Sequence, residues 1–459
     1  MSWIPLPTGL RTEVREIIVL ALPLISANLA NVAITTTDVI MIGWLGPAAL
    51  AAGSLGHNLY FPMYLVGFGV LLAIAPILAQ LLGSGQKSPI PAVLAQGLWV
   101  SVALSMPFGF LLWNSAWLLS LLGQDPAIAA MTQDYLRAAL WGLCPAYLFV
   151  ALRCFLMAHS RPRAIFLVTL AGVVVNAIGN YGLMFGNFGL PRLELVGAGI
   201  SSALVHFFMF LALAVVVLWG RAFRHYAILA HLLRFEIKTW IEIFRIGLPI
   251  GLSILAESGL FAAAAILMGL ISLEALAANA IALQTVAVIF MIPLGISQAA
   301  TVRVGLNMGA RNRIAVGQAG WASLHLGILF MFVAGLILWF GGREIIGLYL
   351  HLEDPNNLTV VAMGISLLAV AALFQVADGA QVILAGVLRG LKDTKIPMWI
   401  AVFGCWVVGF PVSAALGLWF GYGAVGVWCG LALGLTVVAL LETWRFARRA
   451  HFLPDLEAG

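Results

Sequence analysis

Charge is scarce in this chain. Asp, Glu, Lys and Arg make up 9% of its 459 residues, against 63% hydrophobic ones and a mean hydropathy of +1.07. A soluble domain of this length could not cover itself with so little polar surface, which excludes that class. Cysteine is scarce too. Cys144, Cys154, Cys405 and Cys429 are scattered through apolar segments without CxxC spacing or a nearby His pair, so neither a disulfide framework nor a permanent metal site is expected. There is no HExxH zinc motif, GxSxG elbow or Walker A loop, which argues against a membrane enzyme or a nucleotide-driven pump. Met1 to Leu10 lack a basic start and the first apolar run holds Asp38, so a cleaved signal is not expected and the first helix stays.

What is present is a succession of long apolar runs, each of roughly 20 residues or more and so able to cross a hydrocarbon core as a helix. Twelve are expected, at 17–42, 50–82, 92–114, 132–157, 164–186, 197–218, 243–270, 276–308, 317–340, 360–388, 396–420 and 424–447. The runs at 50–82 and 276–308 are long enough for two short helices each. Their charge-free middles offer no turn, and both are read as single helices. The chain is thus expected to be an all-α polytopic membrane protein.

Basic residues set the orientation, because loops kept in the cytoplasm collect Lys and Arg. With a cytoplasmic N-terminus, only Arg137, Arg192 and Arg343 of the 23 basic residues fall on the outer side, where Asp125, Glu194, Glu274, Glu344, Glu353 and Asp354 gather. Both termini are then cytoplasmic, and a cell (inner) membrane is the expected location. This topology signal accounts for the pI near 9.2 without nucleic acid as a partner. Anionic lipid headgroups suffice.

A shift of 226 residues superposes two stretches without a gap. Leu22-Pro23 falls on Leu248-Pro249, Gly43 on Gly269, Ala49-Leu50-Ala51-Ala52 on Ala275-Leu276-Ala277-Ala278, Gly69 on Gly295 and Gly83 on Gly309. With small gaps, Arg161-Pro162-Arg163 then matches Lys392-Asp393-Thr394-Lys395, and Gly197 matches Gly426. Six helices per unit is an even number, so the halves are parallel repeats: residues 1–220, a basic linker at 221–242, and residues 243–459 with the tail. Two parallel bundles about a central site suit alternating access, which favours a transporter. Pro62, Pro76, Pro249 and Pro293, in or at the ends of helices, are candidate hinges.

Carboxylates inside membrane helices are costly and seldom idle. Asp38, Glu257 and Asp378 are the three read as lying well inside helices, and each has polar company. Asn28, Asn31, Thr35 and Asp38 share a stripe of the first helix; Ser253 precedes Glu257 by one turn; Gln375, Asp378 and Gln381 form a stripe on the tenth. The shift places Glu257 opposite Asn31. Asn176 and Asn180, four apart on the fifth helix, supply amides on one face, and Gln284 another on the eighth. Such carboxyls can exchange a proton as their solvation changes, coordinate Na+ (transiently, at Glu257 and Asp378), or pair with an organic cation. Tyr60, Phe61, Tyr64 and Phe290 are candidates for cation-π contact, with packing or interfacial anchoring as the alternative for each. His206 reads as a packing residue.

Several motifs together resemble the multidrug and toxic compound extrusion (MATE) family. They are Asp38-Val39-Ile40-Met41-Ile42-Gly43, the Leu-Pro pair opening each half, Arg303-Val304-Gly305 with Gly309-Ala310, and Gly386-Val387-Leu388-Arg389-Gly390 with Lys392-Asp393-Thr394. Glu257 and Asp378-Gly379-Ala380-Gln381-Val382 are similar to its NorM-type branch. The DinF-type branch has an Asp where this chain has Asn180, which turns attention away from a proton site on the fifth helix. The resemblance covers essentially the whole chain. It implies a V-shaped pair of six-helix lobes that exports cationic, aromatic drugs or dyes in exchange for inward H+ or Na+, without cofactor or nucleotide. A monomer is expected.

Three rivals make different demands. A flippase of lipid-linked precursors calls for central basic residues, whereas the basic residues here are read as staying at the cytoplasmic ends. A membrane enzyme calls for a catalytic motif. A channel has no need of carboxylates for which ions and substrate compete.

Overall fold

The structure is a computed structural model and describes residues 8–121 and 123–449. The chain's two ends, and with them the expected side of each terminus, lie outside those residues. Among the described residues, twelve helices are long and apolar enough to span a membrane: α1 (Arg11–Gly43), α2 (Pro47–Gly83), α3 (Ile90–Trp113), α4 (Pro126–Ala158), α5 (Pro162–Phe185), α6 (Glu194–Trp219), α7 (Ile237–Ile271), α8 (Leu273–Gly309), α9 (Arg313–Phe340), α10 (Leu358–Gly390), α11 (Lys395–Trp419) and α12 (Gly423–Ala447). No strand occurs among the described residues.

The two long runs are single spans. α8 is unbroken, and α2 is interrupted only at Ala73, whose backbone stays right-handed helical (φ −59°, ψ −26°). At about 1.5 Å per residue, 37-residue helices extend well beyond a hydrocarbon core of about 30 Å. Helix boundaries differ from the hydropathy reading where local chemistry sets them. α4 begins six residues before the expected 132, because Asp125 accepts from the Ala127 and Ile128 amides (2.8 and 3.2 Å) and Pro126 starts the helix. α7 begins at Ile237, so the end of the 221–242 stretch is helix and not linker. α11 is wound as a π-helix over Phe403–Gly409 and Ala415–Trp419, on either side of Pro411, which cannot donate to the regular ladder.

The chain forms two compact units, Ser26–Gly251 and Met1–Ile25 with Leu252–Gly459. In the first, α4 packs on α2, α3 and α6, with α5 on α6 and α2 on α3. In the second, α10 packs on α8, α9 and α12, with α11 on α12 and α8 on α9. Adding six to each helix number converts one set into the other, so the 226-residue repeat is also a repeat of packing.

The unit boundaries fall inside α1 and α7. The opening turns of α7 pack on α2, where a Cβ on Gly69 would collide with the Gly251 backbone and one on Gly247 with the Val70 carbonyl. The opening turns of α1 pack on α8, where a Cβ on Gly295 would lie 3.0 Å from the Ile25 nitrogen and 3.1 Å from its Cα. The 226-residue shift takes Gly69 to Gly295 and Ile25 to Gly251, so these are the same crossing made twice. Each repeat begins with a segment that belongs to the other repeat's compact unit.

The segment between the halves is pinned to the first unit. Gln96 Nε2 and Trp99 Nε1 donate to the Arg234 and Leu232 carbonyls (2.6 and 2.7 Å). His159 Nδ1 donates to the Phe155 carbonyl (2.8 Å), which leaves Nε2 to accept the Tyr226 hydroxyl (2.9 Å). Burial pushes the His159 pKa below its ordinary value and keeps the ring in the neutral form this bond needs.

Candidate functional site

Two groups of buried polar side chains lie within the helices, one in each unit. In Ser26–Gly251, α1 brings half-buried Asp38 against α5 and α6. Asn176 and Asn180 are one turn apart and fully buried, and their amides converge on Asp38 Oδ1 at 2.8 and 2.7 Å. Ser202 of α6 donates to Oδ2 at the longer distance of 3.3 Å. Three donors from two helices thus fix one carboxylate, with the second oxygen the more lightly held. The amide oxygens of both asparagines are buried and accept nothing. His57, Tyr135 and His206 lie within electrostatic reach of Asp38.

Aromatic rings stand along α2 in the same unit. Tyr60 stacks on Tyr64, and Tyr64 on both Phe68 and the buried Tyr147 (centroids 6.3, 5.8 and 6.0 Å). Tyr147 is anchored through its hydroxyl to the Met63 carbonyl (2.8 Å). Glycine makes room for these rings: a Cβ on Gly56 would press on Tyr135, and one on Gly67 would collide with Tyr147. Phe61, 40% exposed, stacks on His57 (5.1 Å). Tyr135 is in electrostatic reach of both Tyr60 and Asp38, which links the ring ladder to the carboxylate.

In the other unit α7 and α10 bring together Glu257, Asp378, Gln375 and Gln381. Gln381 Nε2 donates to Glu257 Oε1 (2.8 Å). Asp378 is 1% exposed, in reach of the Glu257 charge, and its Oδ1 has no hydrogen-bond partner. Gln375 is fully buried with neither amide atom partnered. Buried polar atoms are nearly always bonded, to protein or to ordered water. The side chains offer carboxylate and amide oxygens, the donor set of a hard monovalent cation or of a proton bridged by water. Among the described residues no three His, Cys, Asp or Glu side chains gather as a metal cluster.

Other expected site residues are not drawn in. Thr35 is exposed and turns its hydroxyl back to the Asn31 carbonyl (3.4 Å), so neither side chain meets Asp38. The stripe 28–31–35–38 therefore splits, with Asn28 accepting instead from Arg153 of α4 (2.7 Å). Gln284 is exposed and Phe290 is half-buried. His206 donates to the Ser202 carbonyl (2.7 Å), which helps hold the serine that bonds Asp38.

Several participants escaped the sequence reading. Ser202 is one of two adjacent serines in an otherwise apolar stretch of helix, and only its place one turn before His206 hints at a shared face. Glu442 of α12 is 1% exposed, within electrostatic reach of Arg389 and Glu257. It was not among the carboxylates read as lying well inside helices. Glu13, also buried, receives two bonds from Arg303 (3.0 and 2.7 Å) and one from Asn307 (3.2 Å). Arg153 corrects the expectation that basic residues stay at the cytoplasmic ends. It is 6% exposed about 8 Å inside the end of α4, where Asn28 holds it.

Comparisons with known proteins agree on one lineage. The MatE family model matches residues 23–182 and 249–415, one stretch in each repeat. The chain is 41% identical over 451 residues to a probable multidrug resistance protein NorM of Mesorhizobium japonicum, covering 98% of this chain and 97% of that one. It is 40% identical over 443 residues to a protein of the same description from Brucella suis, covering 95% and 94%. The crystal structure of a eukaryotic MATE transporter shares the fold, with a TM-score of 0.85 over 96% of both chains at 20% identity.

Proposed function

Since the chain belongs to the MATE family, we propose that it is a secondary active multidrug efflux antiporter of the cell (inner) membrane, with both termini cytoplasmic. It exports cationic, aromatic compounds in exchange for inward H+ or Na+ by alternating access.

The observation that carries this reading is the unequal state of the two carboxylate groups. Asp38 has its donors in place, keeps Oδ2 lightly held, and shares its unit with the Tyr60, Tyr64 and Tyr147 ladder. That combination suits a flat organic cation: one fixed negative charge for the ammonium and ring faces for the aromatic body. Asp378 and Gln375 have buried atoms with no partner, beside Glu257. That combination suits a small ion, which would bond to the oxygens left over. The reading therefore assigns substrate to the Asp38 side and the coupling ion to the Glu257 and Asp378 side. Ion entry from outside favours release of the organic cation outward, and loss of the ion inside resets the cycle. The names of the NorM relatives, multidrug resistance proteins, support the efflux direction.

The test is export of a fluorescent organic cation from proteoliposomes under proton and sodium gradients imposed separately. Asp38→Asn, Glu257→Gln and Asp378→Asn are compared with the parent. Loss of dye binding in Asp38→Asn, with uncoupled but binding-competent Asp378→Asn, is the expected pattern. Undiminished gradient-driven export by all three would overturn the assignment, and the gradient that drives export names the ion.

A further inference from the structure

The opening turns of α7 carry a feature that transport does not use. Ile237, Trp240, Ile241, Phe244, Arg245 and Leu248 line a shallow open groove, almost wholly apolar, along one face of the helix. From Ile237 to Leu248 it runs about 16 Å at 1.5 Å per residue. Its floor and wall are aromatic: Phe235 lies 5.3 Å from Trp240, and Trp240 5.8 Å from Phe244.

What distinguishes this groove from ordinary lipid-facing helix surface is the charge around it. Arg234 and Lys238 stand at its mouth and Arg245 lies within it; all three are exposed and have no ion-pair partner among the described residues. The nearby carboxylates do not neutralise them. Glu236 Oε2 accepts the Thr239 hydroxyl (3.2 Å), and Glu242 is half-buried with a partner of its own. Side chains on a helix lean toward its N-terminus, so the Arg245 guanidinium reaches back along the face it shares with Lys238, two turns earlier. The approach is held rigid by the bonds from Gln96 and Trp99 to the Arg234 and Leu232 carbonyls. Those bonds hold out Leu233, 93% exposed, and Phe235, 63% exposed, although both are apolar.

We propose that this groove is a binding site for one anionic phospholipid of the leaflet on the basic side of the membrane. An acyl chain lies along Ile237 to Leu248, and the headgroup phosphate meets Arg234, Lys238 and Arg245. Charge complementarity selects the occupant: three unpaired cations around an apolar trough match an anionic headgroup carrying a chain, and repay a zwitterionic one much less. Because the walls are already ordered, little side-chain freedom is lost on binding.

The test is native mass spectrometry of the delipidated full-length protein in detergent, titrated with phosphatidylglycerol or with phosphatidylcholine of the same acyl chains. The parent is expected to retain one phosphatidylglycerol at concentrations where phosphatidylcholine does not persist. Lys238→Gln/Arg245→Gln is expected to weaken that adduct by roughly tenfold or more, at about 1 kcal/mol per basic contact. Arg311→Gln/Arg313→Gln removes two exposed cations elsewhere on the basic side and should leave it intact. Equal retention of both lipids overturns the proposal, as does an unchanged adduct in the first variant or equal weakening in the two. The readout is lipid mass and not transport, so it stands or falls separately from the antiporter assignment.

Discussion

The two crossings, α7 on α2 and α1 on α8, are related by the repeat yet fastened by different means. At the first, glycine meets glycine, and a Cβ on Gly69 would collide with the Gly251 backbone. At the second, Gly295 meets Ile25, and farther along Glu13 is clamped by Arg303 and Asn307. The positions related to Glu13 and Arg303 by the repeat are Thr239 and Ile77, which cannot form that pair. The carboxylate groups differ in the same spirit: both Asp38 oxygens receive hydrogen bonds, whereas Asp378 Oδ1 has no partner. A duplicated frame is therefore kept where backbones touch and diverges where polar groups are placed.

The strongest way to break this comparison is to remove half of the clamp. Arg303→Met leaves Glu13 buried without its guanidinium and should cost about 3 kcal/mol, because a half-broken buried pair is worse than none. Thermal unfolding in detergent should show a large drop for Arg303→Met and recovery of most of it in Glu13→Gln/Arg303→Met. Wild-type stability in the single variant would mean that the second crossing needs no ionic fastening.

Next in size is the contrast between the carboxylates. Asp38→Asn replaces charge-assisted bonds from Asn176 and Asn180 with neutral ones and should destabilise by about 1–2 kcal/mol. Asp378→Asn replaces a buried carboxyl whose Oδ1 has no partner, and should be neutral or stabilising by up to about 1 kcal/mol. Opposite signs in the same unfolding assay sharpen the comparison; equal losses would show that the two sites are satisfied alike. The smallest effects belong to polar residues outside the site. Thr35→Ala and Thr239→Val should each change stability by less than about 0.5 kcal/mol, and Thr35→Ala should leave dye export unchanged in the proteoliposome assay.

Much of the frame was legible in the sequence, because a hydrocarbon core demands long apolar runs and the repeat keeps its glycines in register. The amide pair Asn176 and Asn180 could be read from four-residue spacing. Periodicity assigns a face but not the neighbour it meets, so Asn31 and Thr35 were grouped with Asp38 although only Asp38 reaches α5. Ser202, Glu442 and Glu13 were not legible for a related reason: each acts through a partner distant in sequence. The π-wound turns of α11 had only Pro411 as a signal, and one proline does not say how the helix around it will relax.

The exchanged ends of α1 and α7 change what a half of this molecule is. A six-helix half made alone would lack the opening segment of its own compact unit and would carry one with nowhere to pack. Two separate halves meeting in a membrane would satisfy each other by trading arms, as swapped dimers do. On that view the pinned stretch between α6 and α7 joins two pieces that are already interlaced. Cutting it should leave the pair assembled, whereas cutting it and shortening both arms, before Ile25 and before Gly251, should part them.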